Sequence, residues 1–131
     1  MIALDTNVLV RFIAQDDPQQ SRKADHIMGS LTKENPGWVG VSTILELVWV
    51  INSSIRPGRM GIANMITQLL TRDSIVIENA KAVENAVFQF RRGKADFADC
   101  LIASSAAAAG CSRTLTFDRI AARDAGMQLI A

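Results

Sequence analysis

The chain has 131 residues, of which 49% are hydrophobic and 21% charged, with 14 basic and 13 acidic side chains for a net charge of +1. That length fits one domain able to bury its own core. The composition is ordinary for a globular protein, the net charge by itself argues neither for nor against a nucleic-acid partner, and no apolar run reaches the 18 residues a membrane span needs. Two cysteines, Cys100 and Cys111, are too few for a disulfide framework or a zinc site and read as reduced core residues. The N-terminus lacks the basic start and cleavage pattern of a signal peptide, so the expected location is cytoplasmic.

In chain order, residues 2–5 read as a short buried strand, followed by helical spacing of Val8, Leu9, Phe12 and Ile13 between Thr6 and Ala14. Asp17-Pro18 opens a polar helix to about Thr32, with proline at its first position, and Asn35-Pro36-Gly37 breaks it. Trp38 to Val41 is the second strand, and Ser42 or Thr43 starts an apolar helix through about Ser53. That helix is apolar nearly all round, so Leu45 and Trp49 face either the home core or a partner subunit. After the turn Arg56-Pro57-Gly58 come a helix over 61–70 and a strand over 74–78. An amphipathic helix over 79–92 then presents Val83, Val87 and Phe90 on one face. Gly93-Lys94 is a loop, residues 96–109 form an alanine-rich helix stopped by Gly110, and strands over 113–117 and 127–130 flank a short last helix. Short apolar strands alternating with helices predict a parallel α/β sheet covered on both faces, in one domain over 1–131.

Four acids interrupt apolar runs: Asp5 after Ile2-Ala3-Leu4, Glu46 within Ile44-Leu45-Glu46-Leu47, Asp99 within Phe97-Ala98-Asp99-Cys100-Leu101, and Asp118 after Leu115-Thr116-Phe117. A carboxylate among apolar groups is costly unless paired, protonated or bound to a cation. Each also has a local explanation. Asp5 and Asp118 suit helix N-caps, Thr43-x-x-Glu46 suits a capping box, and Asp96-x-x-Asp99 suits a capped first turn. Yet Asp5 and Asp118 lie at strand ends, and Glu46 and Asp99 lie at helix starts. In an open α/β sheet those ends gather on one edge, where ligands bind. An oxygen-only set suits Mg²⁺ or Mn²⁺, and the one histidine, His26, lies in a polar helix as a surface residue.

Asn7, Ser42 and Thr116 stand near the acids, either as local caps or as groups that orient carboxylates. With the four acids set aside, nine acids against 14 basic residues leave a shell of about +5, which suits a polyanion held at metal ions as well as an ordinary surface. Arg91, Arg92, Lys94 and Arg119 flank the last two acidic motifs, as a solvated charge run or as phosphate contacts.

Asp5-Thr6-Asn7-Val8-Leu9, the helix start Ser42 to Glu46, Asp96-Phe97-Ala98-Asp99-x-Leu101-Ile102-Ala103 and Leu115-Thr116-Phe117-Asp118 together resemble the PIN domain, and more closely VapC-type toxins of bacterial toxin–antitoxin pairs. The resemblance covers essentially the whole chain. It implies a three-layer fold with about five parallel strands in the order 3-2-1-4-5. It also implies a Mg²⁺- or Mn²⁺-dependent endoribonuclease that forms a homodimer and is neutralised by a small antitoxin protein. The family's acids map onto Asp5, Glu46, Asp99 and Asp118, with Asp5, Asp99 and Asp118 as metal ligands and Asp96 as an alternative or support to Asp99. The expected chemistry on RNA is in-line attack by water, leaving a 5′-phosphate and a 3′-hydroxyl. Two other readings remain open from the residues. One is a phosphatase or phosphotransfer domain, although Asn7 stands where a second early acid is wanted and the late strand has no lysine. The other is a catalytically silent module whose acidic cleft binds a basic partner peptide.

Overall fold

A computed structural model describes all residues, Met1–Ala131. It contains seven helices and five strands, and the chain divides into two compact units, Met1–Glu78 and Asn79–Ala131.

The first unit holds β1 (Ile2–Ala3), α1 (Thr6–Ala14), α2 (Pro18–Ser30), β2 (Gly37–Val39), α3 (Val41–Ser54), α4 (Gly58–Thr71) and β3 (Ile75–Ile77). Its strands pair in parallel in the order β1-β2-β3, with Ile2 opposite Gly37 and Val39 opposite Ile77. Helix α1 packs on α2 and α3, and α4 packs on α3 and β3. The core side chains are those at helical spacing: Leu9, Met28, Ile44, Leu47, Ile51, Ile62 and Ile66 are all fully buried. Strand β1 is shorter than the run 2–5 suggests. The Leu4 N–H still bonds the Trp38 carbonyl at 2.9 Å, but Asp5 already serves as the N-cap of α1, so the chain turns there. The helix after Pro57 begins at Gly58, three residues earlier than the spacing predicts. Arg56 and Gly58, at φ 55° and 77°, make the turn that launches it.

The second unit holds α5 (Ala80–Arg92), α6 (Phe97–Ala108), β4 (Leu115–Thr116), α7 (Arg119–Asp124) and β5 (Gln128–Leu129). Helices α5 and α6 form its main contact, burying Val83, Val87 and Phe90 on the predicted face, with Phe90 edge-on to Phe97 at 5.6 Å between ring centres. Helix α6 ends as its sequence predicts. Gly110 takes φ 94°, its N–H bonds the Ala107 carbonyl, and the Cys111 N–H reaches back to Ala106, each at 3.0 Å. Strands β4 and β5 pair in parallel, Leu115 opposite Gln128. The strand neighbours thus agree with the order 3-2-1-4-5 within a three-stranded and a two-stranded ladder. Cys100 is buried as expected, but Cys111 is exposed, because it lies just past the helix stop in the loop that follows.

Candidate functional site

Asp99 stands in the first turn of α6, and Asp96 is the residue that caps that helix. The Asp96 carboxylate does not take up the capping bond its position offers. Asp118 follows β4 and is the N-cap of α7. Its Oδ1 accepts the Ala121 N–H at 2.8 Å, and its own N–H donates to Thr116 Oγ1 at 3.0 Å. The bland reading of Asp118 as a cap is therefore realised, and one carboxylate oxygen remains for other work. Thr116 thus makes the local turn bond that is one of the two roles the sequence offers it.

These three acids feel one another. The Asp99 carboxyl is raised above the usual carboxylate range, first by partial burial and then by the negative charges of Asp96 and Asp118. The oxygen-only chemistry of these carboxylates is of the kind that suits a hard divalent ion. No three acidic, histidine or cysteine side chains are drawn together tightly enough to form a finished metal cage. The residues fit the chemistry of such an ion without being closed around it.

The loop that delivers Asp96 and Asp99 is held by a residue that the motifs do not single out. Asp124, at the end of α7, accepts the Lys94 N–H on Oδ2 at 2.8 Å and pairs with Arg123 at 2.8 Å. Its backbone carbonyl accepts Gln89 Nε2 at 2.7 Å. The Arg123 guanidinium and the Lys94 N–H pull its carboxyl down to about 2. Gly93 makes room for this clamp: a Cβ there would lie 2.7 Å from Asp124 Cβ. The glycine–acid pairing across 31 positions carries no local sequence signal.

In the first unit, Asp5 caps α1, its Oδ1 accepting the Thr6 N–H at 2.7 Å. Glu46 lies on the exposed side of α3. The capping box Thr43-x-x-Glu46 does not form. Helix α3 starts at Val41 after Gly40, and no side chain of its own caps it. Instead Glu78, just past β3, accepts the Val41 N–H on Oε1 at 2.9 Å. Sequence reasoning missed Glu78 because the cap arrives from a neighbouring strand rather than from three residues along the helix. Glu46, freed of that duty, is available for other work. Ser42 is exposed in the first turn of α3. Asn7 lines a surface cavity of about 430 Å³ together with Arg11 and Lys23. His26 is exposed, as predicted.

The acids are embedded in sequence but not in space. Asp5, Glu46 and Asp118 are exposed, and Asp99 is only half-buried. The apolar neighbours of each motif turn inward (Leu4, Leu47, Leu101) while the acid turns out, as the helical and strand periods allow. Of the basic residues, Arg92 lies over the Phe88 ring at 5.1 Å, Lys94 and Arg119 are exposed, and Arg91 is half-buried in the last turn of α5.

Parallel ladders with crossover helices define an α/β protein, and in the second unit Asp96, Asp99 and Asp118 lie within electrostatic reach of one another at a helix start and a strand end. The PIN domain family model matches residues 2–126, and the chain belongs to that family. PIN domains are generally metal-dependent nucleases, so membership supports a nuclease-type hydrolase. No curated protein matches the sequence. No helix is long and apolar enough to cross a membrane.

Proposed function

We propose that this protein is a Mg²⁺- or Mn²⁺-dependent endoribonuclease acting as the toxin of a type II toxin–antitoxin pair. The observation that carries the nuclease reading is the Asp99 carboxyl, partly buried and facing the charges of Asp96 and Asp118, in a chain of the PIN family. The toxin role rests on the closer resemblance of its four motifs to VapC-type toxins. With it come a homodimeric state, a small antitoxin partner and a cytoplasmic location.

The proposal assigns Asp5, Glu46, Asp99 and Asp118 to catalysis, with Asp5, Asp99 and Asp118 holding the cation. When bound, the cation offsets charge on the scissile phosphate and acidifies a water. The Asp99 carboxylate, disfavoured by partial burial and by the charges of Asp96 and Asp118, would be stabilised by a bound cation, which would displace its proton to water. Asp118 stays aimed by its bonds to Ala121 and from its own N–H to Thr116. Asp96, uncommitted as a cap, supports Asp99. Glu46 positions the attacking water. Asn7 and Ser42 orient the neighbouring carboxylates, and Arg91, Arg92, Lys94 and Arg119 attract the RNA backbone. The expected products are a 5′-phosphate and a 3′-hydroxyl.

The test is cleavage of single-stranded RNA by wild type, Asp5→Asn and Asp99→Asn, with Mg²⁺ and with chelator. Cleavage that depends on the metal and falls at least ~100-fold in both folded variants is expected. Wild-type rates in both variants would refute the site. Co-purification with the protein encoded beside it tests the antitoxin.

A further inference from the structure

Asp96, Asp99 and Asp118 come within electrostatic reach of one another from two pieces of chain, the start of α6 and the start of α7. They do not close into a cage of their own, so their spacing is set by the elements that carry them. Helix α7 joins the two sides. Asp118 caps its first turn and Asp124 ends it, a rise of about 9 Å along the axis. At that far end Asp124 Oδ2 accepts the Lys94 N–H at 2.8 Å, in the segment that leads into Asp96. Ala95 and Phe97, on either side of Asp96, are buried, which leaves this segment little slack. The far end of α7 is itself anchored. Gln89 on α5 donates Nε2 to the Asp124 carbonyl at 2.7 Å, and Ala121 and Ala125 are buried.

Asp124 is an acid close to other acids, but its bonds give it a different role. Arg123 donates Nε to its Oδ1 at 2.8 Å and Nη2 to its Oδ2 at 3.0 Å, so both oxygens are engaged and the charge is balanced. Its side chain is 14% exposed, whereas Asp118 stands in water. We propose that Asp124 is a positioning residue of the cation site: through α7 at one end and the Lys94 N–H at the other, it fixes Asp118 relative to Asp96 and Asp99. The inference rests on the nuclease reading and deepens it. Mg²⁺ demands near-ideal octahedral geometry, so a carboxylate set held at the right spacing beforehand binds it more tightly than one that must be gathered.

The experiment uses the full chain below the Tm of every variant. Mg²⁺ binding is read by calorimetric titration, and cleavage of single-stranded RNA is read at saturating Mg²⁺. Asp124→Ala should weaken Mg²⁺ binding and lower kcat by about 10- to 100-fold, the range for loss of a group that orients metal ligands, with KM for RNA unchanged. Asp124→Asn, whose amide oxygen still accepts the Lys94 N–H, should recover most of both. Gly93→Ala crowds Asp124 from the other side and should reproduce the Asp124→Ala losses, which keeps the test open if Asp124→Ala does not fold. In an Asp118→Asn background Asp124→Ala should cost less than in wild type, because the helix then has no carboxylate to place. Wild-type Mg²⁺ affinity and kcat in folded Asp124→Ala or Gly93→Ala overturn the proposal whatever their Tm, and leave Asp124 with stability alone. Equal losses in Asp124→Asn and Asp124→Ala overturn it by assigning the effect to the Arg123 ion pair. A raised KM with unchanged kcat and Mg²⁺ affinity overturns it by assigning the segment to RNA binding, and full additivity with Asp118→Asn overturns the coupling through α7. If wild type itself neither binds Mg²⁺ nor cleaves RNA, the nuclease reading falls and this inference with it, which is recognisable because it appears before any substitution.

Discussion

Gly93→Ala is the sharpest test of how the second unit presents its acids. The added Cβ would lie 2.7 Å from Asp124 Cβ and 3.0 Å from its Cγ. Real Cβ atoms do not approach so closely, and the atoms met are the rigid root of the Asp124 side chain, not a flexible tip. Gly93 has φ −141°, which alanine adopts freely, so the cost is steric and not conformational. Overpacking of this kind costs about 1–3 kcal/mol. Displacing Asp124 also breaks the bond from the Lys94 N–H, and a hydrogen bond to a charged group contributes about 1.5–3 kcal/mol. Because relaxation relieves the clash as it breaks the bond, the two do not add in full, and a net loss of about 2–4 kcal/mol is expected. At about 2.1 cal/mol/K of unfolding entropy per residue, that is about 7–14 °C in Tm for a chain of this length. Thermal unfolding followed by circular dichroism measures it. Gly29→Ala is the control: no atom lies within 4 Å of a Cβ there, and in the last turn of α2 it should leave Tm unchanged or raise it slightly. If Gly93→Ala melts within about 2 °C of wild type while the control behaves, the clamp does not hold the loop that carries Asp96 and Asp99.

Asp99→Asn removes one of three repelling carboxylates, so in chelator it should melt above wild type. Mg²⁺ should raise the Tm of wild type and not of the variant, as differential scanning fluorimetry would show. Asp124 has a folded value of about 2, below its unfolded value near ~4. Its contribution is therefore present above pH ~4 and is lost as pH falls through about 2. Asp124→Asn should flatten the fall of Tm across that window, and an unchanged slope would contradict the clamp. Thr116→Val deletes the acceptor of the Asp118 N–H. It should cost about 1 kcal/mol in urea midpoints and slow cleavage more than it weakens RNA binding.

Much of the chain is legible locally. Asp17-Pro18 opens α2, with Asp17 Oδ1 accepting the Gln20 N–H at 3.0 Å, and Gly110 closes α6. Both signals act within a few residues, where neither competes with distant groups. The periodic apolar positions of α5 chose its buried face for the same reason. The acids were recognisable as a set because carboxylates in apolar runs are costly, and their order along the chain carries the PIN resemblance.

Other features depend on which segments the fold makes neighbours. The capping box of α3 failed because Glu78, 37 residues away, reaches Val41 first. Gly93 matters only because α7 brings Asp124 against it. Asp99 is raised first by the partial burial that folding gives it and then by the like charges of Asp96 and of Asp118, which follows β4. Sequence by itself determined where α2 opens and α6 closes, which face of α5 goes inside, and that Asp5 and Asp118 cap the helices that follow them. Tertiary structure alone decided that Glu78 caps α3, that Asp99 comes within reach of Asp118, and that Trp49 is exposed. Capping and periodicity are satisfied within a turn or two of chain, whereas the surroundings of a charge or an indole are set by contacts that only folding creates.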